Sequence, residues 1–284
     1  MKISDIYKNS SKTVLSFEVF PPKKTDGIET VYKTLDELKA LSPEYISVTY
    51  GAGGSSASEL TANIASYIKN KCGIESMAHL TCVNSTKEDV LATLKLLKEN
   101  NIENILALRG DKTPDMEPKT DFTYASDLVK FIKANGDFGV SGACYPETHF
   151  EAPDAATDIR NLKHKVEQGV QSLVSQLFFD NSVFYAFLEK CRIADITVPV
   201  TPGIMPVTNK KQIERMVTLC GATMTPELIK MLQKYEADPD GLYSAGIEFA
   251  VNQIRDLMAQ GADGVHIYTM NNPKIAKAIV EAIK

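Results

Sequence analysis

The stretch VLSFEVFPPK, residues 14–23, sets a carboxylate, Glu18, in the middle of a strand-forming apolar run. A buried carboxylate is costly to keep ionised, so Glu18 is paired, neutral, or there for chemistry. In one reading it faces inward and bridges to Arg109. In the other it is a general acid: apolar walls raise its pKa and leave it a proton to give near neutral pH. ILALRGDKTP places Arg109, Gly110 and Asp111 directly after another apolar run. Gly110 permits close backbone approach to a ligand. Asp111 either orders the loop through Arg109 or faces a ligand on which positive charge develops. In YPETHFEAPDAATDIRNLKHKVEQG, a helix from about Asp154 carries Arg160, Lys163, His164 and Lys165. That set reads as a grip on phosphates, with Arg160 and His164 one turn apart, or as a solvated basic face. Thr49, His79, Thr81, Tyr145, Glu147, His149, Gln176 and Asp180 complete the polar positions at or just past apolar runs.

Several common chemistries have no motif here. TYGAGGSS fails the dinucleotide fingerprint, because Ser56 stands where the third glycine belongs. His79, His149, His164 and His266 form no H-x-H or H-E-x-x-H pair, so the spacing asks for no metal. No G-x-S-x-G elbow occurs. The net charge of -5 argues against a general nucleic-acid surface. Cys72, Cys82, Cys144, Cys191 and Cys220 are odd in number and scattered, which favours reduced thiols and a cytoplasmic protein. The opening MKISDIYKNS has no apolar signal core, and no apolar run is long enough to span a membrane.

The elements that must position these residues alternate. Strand-like runs fall at 14–20, 45–50, 76–82, 104–108, 139–143, 172–178, 197–201 and 264–268. Between them apolar residues recur at helical spacing. Val31, Leu35, Leu38 and Leu41 make one stripe, and Val90, Leu94 and Leu97 make another behind a Thr86–Asp89 capping box. A third helical segment stops at Gly73. Alternation of this kind implies parallel strands with helical crossovers. Eight repeats in this length predict an α/β fold, a single (β/α)8 TIM barrel over 1–284, rather than an open doubly wound sheet. The stretch 225–260 is longer than one helix needs and predicts an extra helix before the last strand.

The motifs SFEVFPPK, ISVTYGAGG, AHLTC, ALRGD, YASDLV, YPETHFEA, QLFFD and PGIMPV occur in the order and spacing of the methylenetetrahydrofolate reductase family. From about residue 13 to 271 the chain resembles the short bacterial form, with no room for the C-terminal regulatory domain of longer eukaryotic members. The resemblance implies FAD across the barrel mouth. It implies ping-pong hydride transfer from NAD(P)H through the flavin to 5,10-methylenetetrahydrofolate, giving 5-methyltetrahydrofolate for methionine synthesis. It implies small-molecule partners, a homo-oligomer, and neither nucleic acid nor membrane. Glu18 matches the acid that opens the folate ring to an iminium cation, and Asp111 the carboxylate near flavin and pterin. Thr49, Tyr50, Ala52, His79, Arg109, Gly110, Asp111, Ala125, Tyr145, His149, Ala152, Asp158, Asn161, His164 and Lys165 match flavin-lining positions, with His164 and Lys165 toward the pyrophosphate. Gln176 and Gln212 match folate contacts, which Glu18, Thr49 and Asp111 share. Asn272 stands where the family has an arginine near the folate tail, with Lys274 as the nearby charge. Met216 replaces a stacking phenylalanine, and Phe150 a common proline. The competing readings are a metal-assisted hydrolase built on Asp111, Glu147 and His149, and a barrel that binds flavin or folate without turnover.

Overall fold

The computed structural model describes residues 1–22, 27–51, 55–111 and 119–284; Ala52 lies outside them. In chain order the elements are α1 (Ile3–Asn9), β1 (Val14–Val19), α2 (Ile28–Lys39), β2 (Tyr45–Val48), α3 (Ser55–Tyr67), β3 (Glu75–Thr81), α4 (Lys87–Glu99) and β4 (Asn104–Leu108). There follow α5 (Ala125–Asn135), β5 (Gly139–Cys144), α6 (Ala155–Glu167), β6 (Ser172–Ser175), α7 (Asn181–Ile193), β7 (Val200–Thr201) and β8 (Gly203–Ile204). The last are α8 (Lys210–Cys220), α9 (Pro226–Lys234), α10 (Pro239–Ala259), β9 (Gly264–Tyr268) and α11 (Pro273–Ile283).

All strand pairs are parallel, in the order β7-β6-β5-β4-β3-β2-β1-β9-β8. β7 and β8 are halves of one strand position broken at Pro202, which has no N–H to give a ladder. β7 pairs with β6 and β8 with β9, so the ring closes as a (β/α)8 barrel. The break also lets Tyr268 reach across: a Cβ on Gly203 would lie 2.4 Å from both Ser175 O and Tyr268 Oη.

Alternation along the strands sorts the side chains. Phe17, Val19, Ile46, Val48, Ala78, Leu80, Ile105, Ile267 and their neighbours point outward and join the helices in the main core. Ser16, Ser47, His79, Ser141, Ser172, Thr201 and His266 are buried polar residues of the same strands. The upper barrel interior is therefore polar, where bulky branched residues usually fill a barrel. Its base is apolar, plugged by Ile3, Val14, Tyr45, Met77, Leu106 and Val174. Ile3 comes from α1, a helix the periodicity did not announce.

The stripes behave as expected. Val31, Leu35, Leu38 and Leu41 are buried, as are Val90, Leu94 and Leu97. Thr86 and Asp89 form the capping box, and Gly73, with φ +71°, ends the π-helical turn Ile68–Cys72 that continues α3. Two boundaries differ. β6 stops at Ser175, because the apolar residues beyond it are packing anchors: Phe178 stacks on Phe184 at 5.1 Å. The seventh strand position falls later than 197–201 and is split. The stretch 225–260 holds α9 and α10, so the extra helix is present, and α8 and α9 cover a separate apolar cluster with Leu177, Met205 and Leu242.

Candidate active site

β1 delivers Glu18 to the interior and then ends, since Pro21 and Pro22 cannot continue a ladder. The end is pinned. Thr269 Oγ1 donates to Glu18 O at 2.7 Å, and Asn271 exchanges hydrogen bonds with the backbone of Phe20 at 3.0 and 2.8 Å. The Glu18 side chain is 20% exposed and faces two imidazoles: His79 Nε2 at 3.5 Å and His266 Nε2 at 3.7 Å. Register makes Ser47 and Tyr268 its lateral neighbours.

This geometry corrects two sequence expectations. Glu18 does not bridge to Arg109. That guanidinium forks onto Glu151, at 2.5 and 2.8 Å. Nor is the Glu18 pKa raised. Burial pushes it up, but the neighbouring His266 and His79 imidazoles and the Ser47 hydroxyl together bring it below the ordinary carboxylate value. Its chain neighbours Phe17 and Val19 are apolar but point away from the barrel; the walls that meet the carboxylate are two imidazoles and a serine. Burial meanwhile takes His79 down to about 4, against the pull of Glu18. His79 is thus neutral at pH 7, and its buried Nε2 makes no hydrogen bond among the described residues.

A second group forms the rim. Arg109 and Gly110 follow β4; Gly110 has φ +85° and a Cβ there would lie 3.0 Å from Thr81 Cβ, so glycine is needed. Asp111 is exposed, and its charge reaches Arg109 and Tyr145. Burial, then Asp111, pushes the Tyr145 phenol to about 12. His149 packs edge-on to Tyr145 at 4.5 Å and stacks on the exposed Phe150 at 4.7 Å. Burial and then Arg109 lower its pKa. Asp158 of α6 accepts the His149 N–H at 3.1 Å, and Ala152 N donates to His149 O at 2.8 Å. Lys165 lies along β5 with its Nζ on Ala143 O at 2.5 Å. Thr49 and Tyr50 top β2, where Thr61 Oγ1 donates to Thr49 O at 3.0 Å; Ala125 opens α5.

Other expected residues are engaged elsewhere. Asn161 and His164 are exposed on α6. Arg160 turns back to Thr157 Oγ1 at 2.7 Å, and Lys163 donates to Asp195 O beyond α7 at 2.6 Å, so those two form no phosphate grip with Lys165. Gln176 accepts the Leu177 N–H through its side chain. Gln212 lies in the first turn of α8, its N–H capped by Asn209. Asn272 caps α11 by accepting the Lys274 N–H at 3.1 Å, so helix start and not tail binding occupies its carbonyl. Glu147 accepts the Thr223 N–H with both oxygens, which ties two loops together instead of joining Asp111 and His149.

Ser16, Ser47, His266, Tyr268 and Glu151 were not singled out. For the first four the signal is present: SFE, YIS and HIY each put two side chains with polar groups on one strand face.

The methylenetetrahydrofolate reductase family model matches residues 2–284. The chain belongs to that family. Methylenetetrahydrofolate reductase (NADH) 1 of Arabidopsis thaliana is 37% identical over 99% of this chain and 50% of its own. The 5,10-methylenetetrahydrofolate reductase of Escherichia coli is 34% identical over 95% of this chain and 90% of its own. That of Pectobacterium carotovorum is 36% identical over 95% and 89%. The chain thus spans about half the length of its plant relative and about nine tenths of the bacterial reductases. Among solved structures, an uncharacterized protein from Clostridium thermocellum that binds two copies of 5-methyl-5,6,7,8-tetrahydrofolic acid superposes with a TM-score of 0.68 at 13% identity, covering 99% and 98% of the two chains. Dihydropteroate synthase from Xanthomonas albilineans gives 0.56 at 14%, covering 96% and 91%. Both likenesses concern the fold. No helix among the described residues is long and apolar enough to cross a membrane.

Proposed function

We propose that the chain reduces 5,10-methylenetetrahydrofolate to 5-methyltetrahydrofolate with electrons from a nicotinamide passed through FAD. The observation that carries the reading is Glu18, held inside the mouth of a methylenetetrahydrofolate reductase barrel within 3.5 Å of His79. The residues present suit the flavin. His79 Nε2 is buried without a hydrogen bond and can receive one from a polar ring edge. Gly110 leaves backbone bare at the rim, and Arg109 and Lys165 supply positive charge beside it. FAD bound there would accept a hydride from the nicotinamide and give it to the folate. The name of the Arabidopsis relative supports NADH as the reductant.

Glu18 takes up a proton as ligands cover the mouth and exclude the water around its exposed fifth. It then donates that proton to the folate as the five-membered ring opens, and so leaves an electrophilic iminium carbon. Asp111, exposed on the rim, offers negative charge to that cation. Burial keeps the Tyr145 phenol protonated, so no second anion forms beside Asp111. Gln176, Gln212 and Asn272 border the folate side; Met216 and not an aromatic ring stands with them. Asn161, His164 and Lys165 of α6 serve the dinucleotide's phosphates and ribose.

The test is the absorbance spectrum of the purified protein. It should be yellow, bleach under anaerobic NADH, and regain colour on addition of methylenetetrahydrofolate. A protein that stays colourless after FAD is added would overturn the proposal.

A further inference from the structure

α8 and α9 are additions to the helical ring around the barrel. α10 packs against α7 and α11, and so fills the place that the crossover from the seventh strand position takes. α8 and α9 precede it and lie at the C-terminal end of the strands. They pack on Leu177 past β6, Met205 past β8, and Tyr268 and Met270 at the end of β9. Tyr268 is the register neighbour of Glu18. Met216, Val217 and Cys220 of α8 join the same cluster, so α8 walls the mouth on that side.

This wall is lightly anchored. Within α8 only Ile213 is buried. At its start Asn209 Oδ1 accepts the Gln212 N–H at 3.0 Å, and Lys210 pairs with Glu236 just past α9, but both partners belong to the addition itself. Gly221, with φ +70°, stops the helix. Just beyond, the Thr223 N–H donates to both carboxylate oxygens of Glu147, each at 3.0 Å. Glu147 belongs to the barrel, in the loop after β5 that also carries Tyr145 and His149. The two segments touch: a Cβ on Gly221 would lie 3.8 Å from Phe150 Cβ. Thr148 has φ +77°, an outlier for a β-branched residue. Its N–H donates to Tyr145 O at 3.1 Å, and the next N–H, of His149, donates to Asp158 Oδ2 at 3.1 Å. Such strain persists where the surroundings over-determine it. Here it lets Glu147 reach α8 while His149 packs on Tyr145.

We propose that Glu147 is a positioning residue for the substrates: by holding the Thr223 N–H it sets where α8 lies, and so the width of the cleft between α8 and the rim of Tyr145 and His149. The proposal rests on the function proposed above, in which Gln212 and Met216, one turn apart on α8, border the folate side. In a ping-pong reaction nicotinamide and folate occupy that cleft in turn, so both lean on the same wall. A carboxylate suits the task, because a hydrogen bond to a charged acceptor is stronger than one to a neutral group. Two oxygens on one N–H also leave that N–H little room to swing. Without the tie α8 keeps its cap and Ile213, but its far end is free to lift. The cleft widens and each substrate binds more weakly. Glu18 keeps its own anchors at Thr269 and Asn271, so the transfer step in a filled site is unchanged.

Glu147→Ala removes the tie, and Glu147→Gln keeps one acceptor oxygen. Hydrogen–deuterium exchange of residues 210–223 in the protein without added ligands should quicken about tenfold in Glu147→Ala, as for loss of one hydrogen bond to a charged group, and return most of the way in Glu147→Gln. Exchange in α7 should not move. Anaerobic stopped-flow on the FAD-loaded protein then separates binding from transfer. Half-saturating concentrations of NADH and of methylenetetrahydrofolate should both rise about tenfold in Glu147→Ala and recover in Glu147→Gln. Limiting rates, and FAD affinity by spectral titration, should stay within about twofold. Unmoved exchange in α8 overturns the proposal. So do unmoved half-saturating concentrations, or limiting rates and FAD affinity that fall along with them, which would report general damage. If Glu147→Ala does not fold, Glu147→Met, which keeps the stem without the acceptor, takes its place. A parent protein that passes no electrons from NADH to the folate would sink the proposed function, and the exchange measurement would still decide whether Glu147 holds α8.

Discussion

Replacing Glu18 by Gln keeps the side-chain shape and removes one titratable carboxyl at the centre of the site. General acid catalysis is worth about 10²–10⁴ in rate, or roughly 2.7–5.5 kcal/mol of barrier. The structure places the loss toward the upper end, because nothing nearby can take over. His79, 3.5 Å away, has its pKa at about 4 with Glu18 present. The Glu18 charge is one of the influences that raise it, so the substitution lowers it further and leaves no imidazolium at pH 7. Tyr268 is held protonated by burial far above neutral pH and spends its hydroxyl on Ser175 O at 2.7 Å. Anaerobic stopped-flow absorbance separates the half-reactions. Bleaching by NADH should proceed within a factor of about two, since no proton from position 18 enters that step, while recovery of colour with methylenetetrahydrofolate should slow by about 10³–10⁴. Equal losses in both halves, or folate reduction within tenfold of the parent, would refute the reasoning.

Acid stability is the second expectation. His79 titrates lower in the folded than in the unfolded chain, so the unfolded state binds more protons between pH 6.5 and about 4. Stability is full above that window and falls by about 3 kcal/mol across it; Glu18, also lowered, adds loss in the same direction as pH falls. His79→Gln should flatten this limb in urea melts taken at successive pH values, and an unchanged slope would count against a neutral buried imidazole. Gly203→Ala forces a Cβ to within 2.4 Å of Ser175 O and Tyr268 Oη; calorimetry should show a loss of about 1–3 kcal/mol from overpacking. Phe17→Ala empties a fully buried site between barrel and helices and should cost about 3–5 kcal/mol in denaturant unfolding, with the spectrum of any bound flavin unaltered.

The barrel was legible because its signals are local. Alternating runs, the Val31–Leu35–Leu38–Leu41 stripe and the Thr86–Asp89 box depend on near neighbours in the chain. The break at Pro202 and the base helix α1 were not legible. A dipeptide strand has no period to detect, and seven residues of helix are defined by what they cover. Of the site, Glu18, His79, Arg109, Gly110, Tyr145 and His149 were read from position next to apolar runs. Glu151 was not, because its role is to oppose a guanidinium that arrives from another strand.

The amino-acid sequence alone determined which side chains share a face, since strand alternation is a property of consecutive residues. It therefore committed Ser16 with Glu18, Ser47 with Tyr45, and His266 with Tyr268 to common faces. What surrounds Glu18 was decided only when β1, β2, β3 and β9 closed into a ring. Its neighbours Phe17 and Val19 turned outward, and two imidazoles and a serine from distant segments became its walls. A carboxyl's charge state depends on the atoms within a few ångströms, and here every such atom beyond its own strand was brought by tertiary folding.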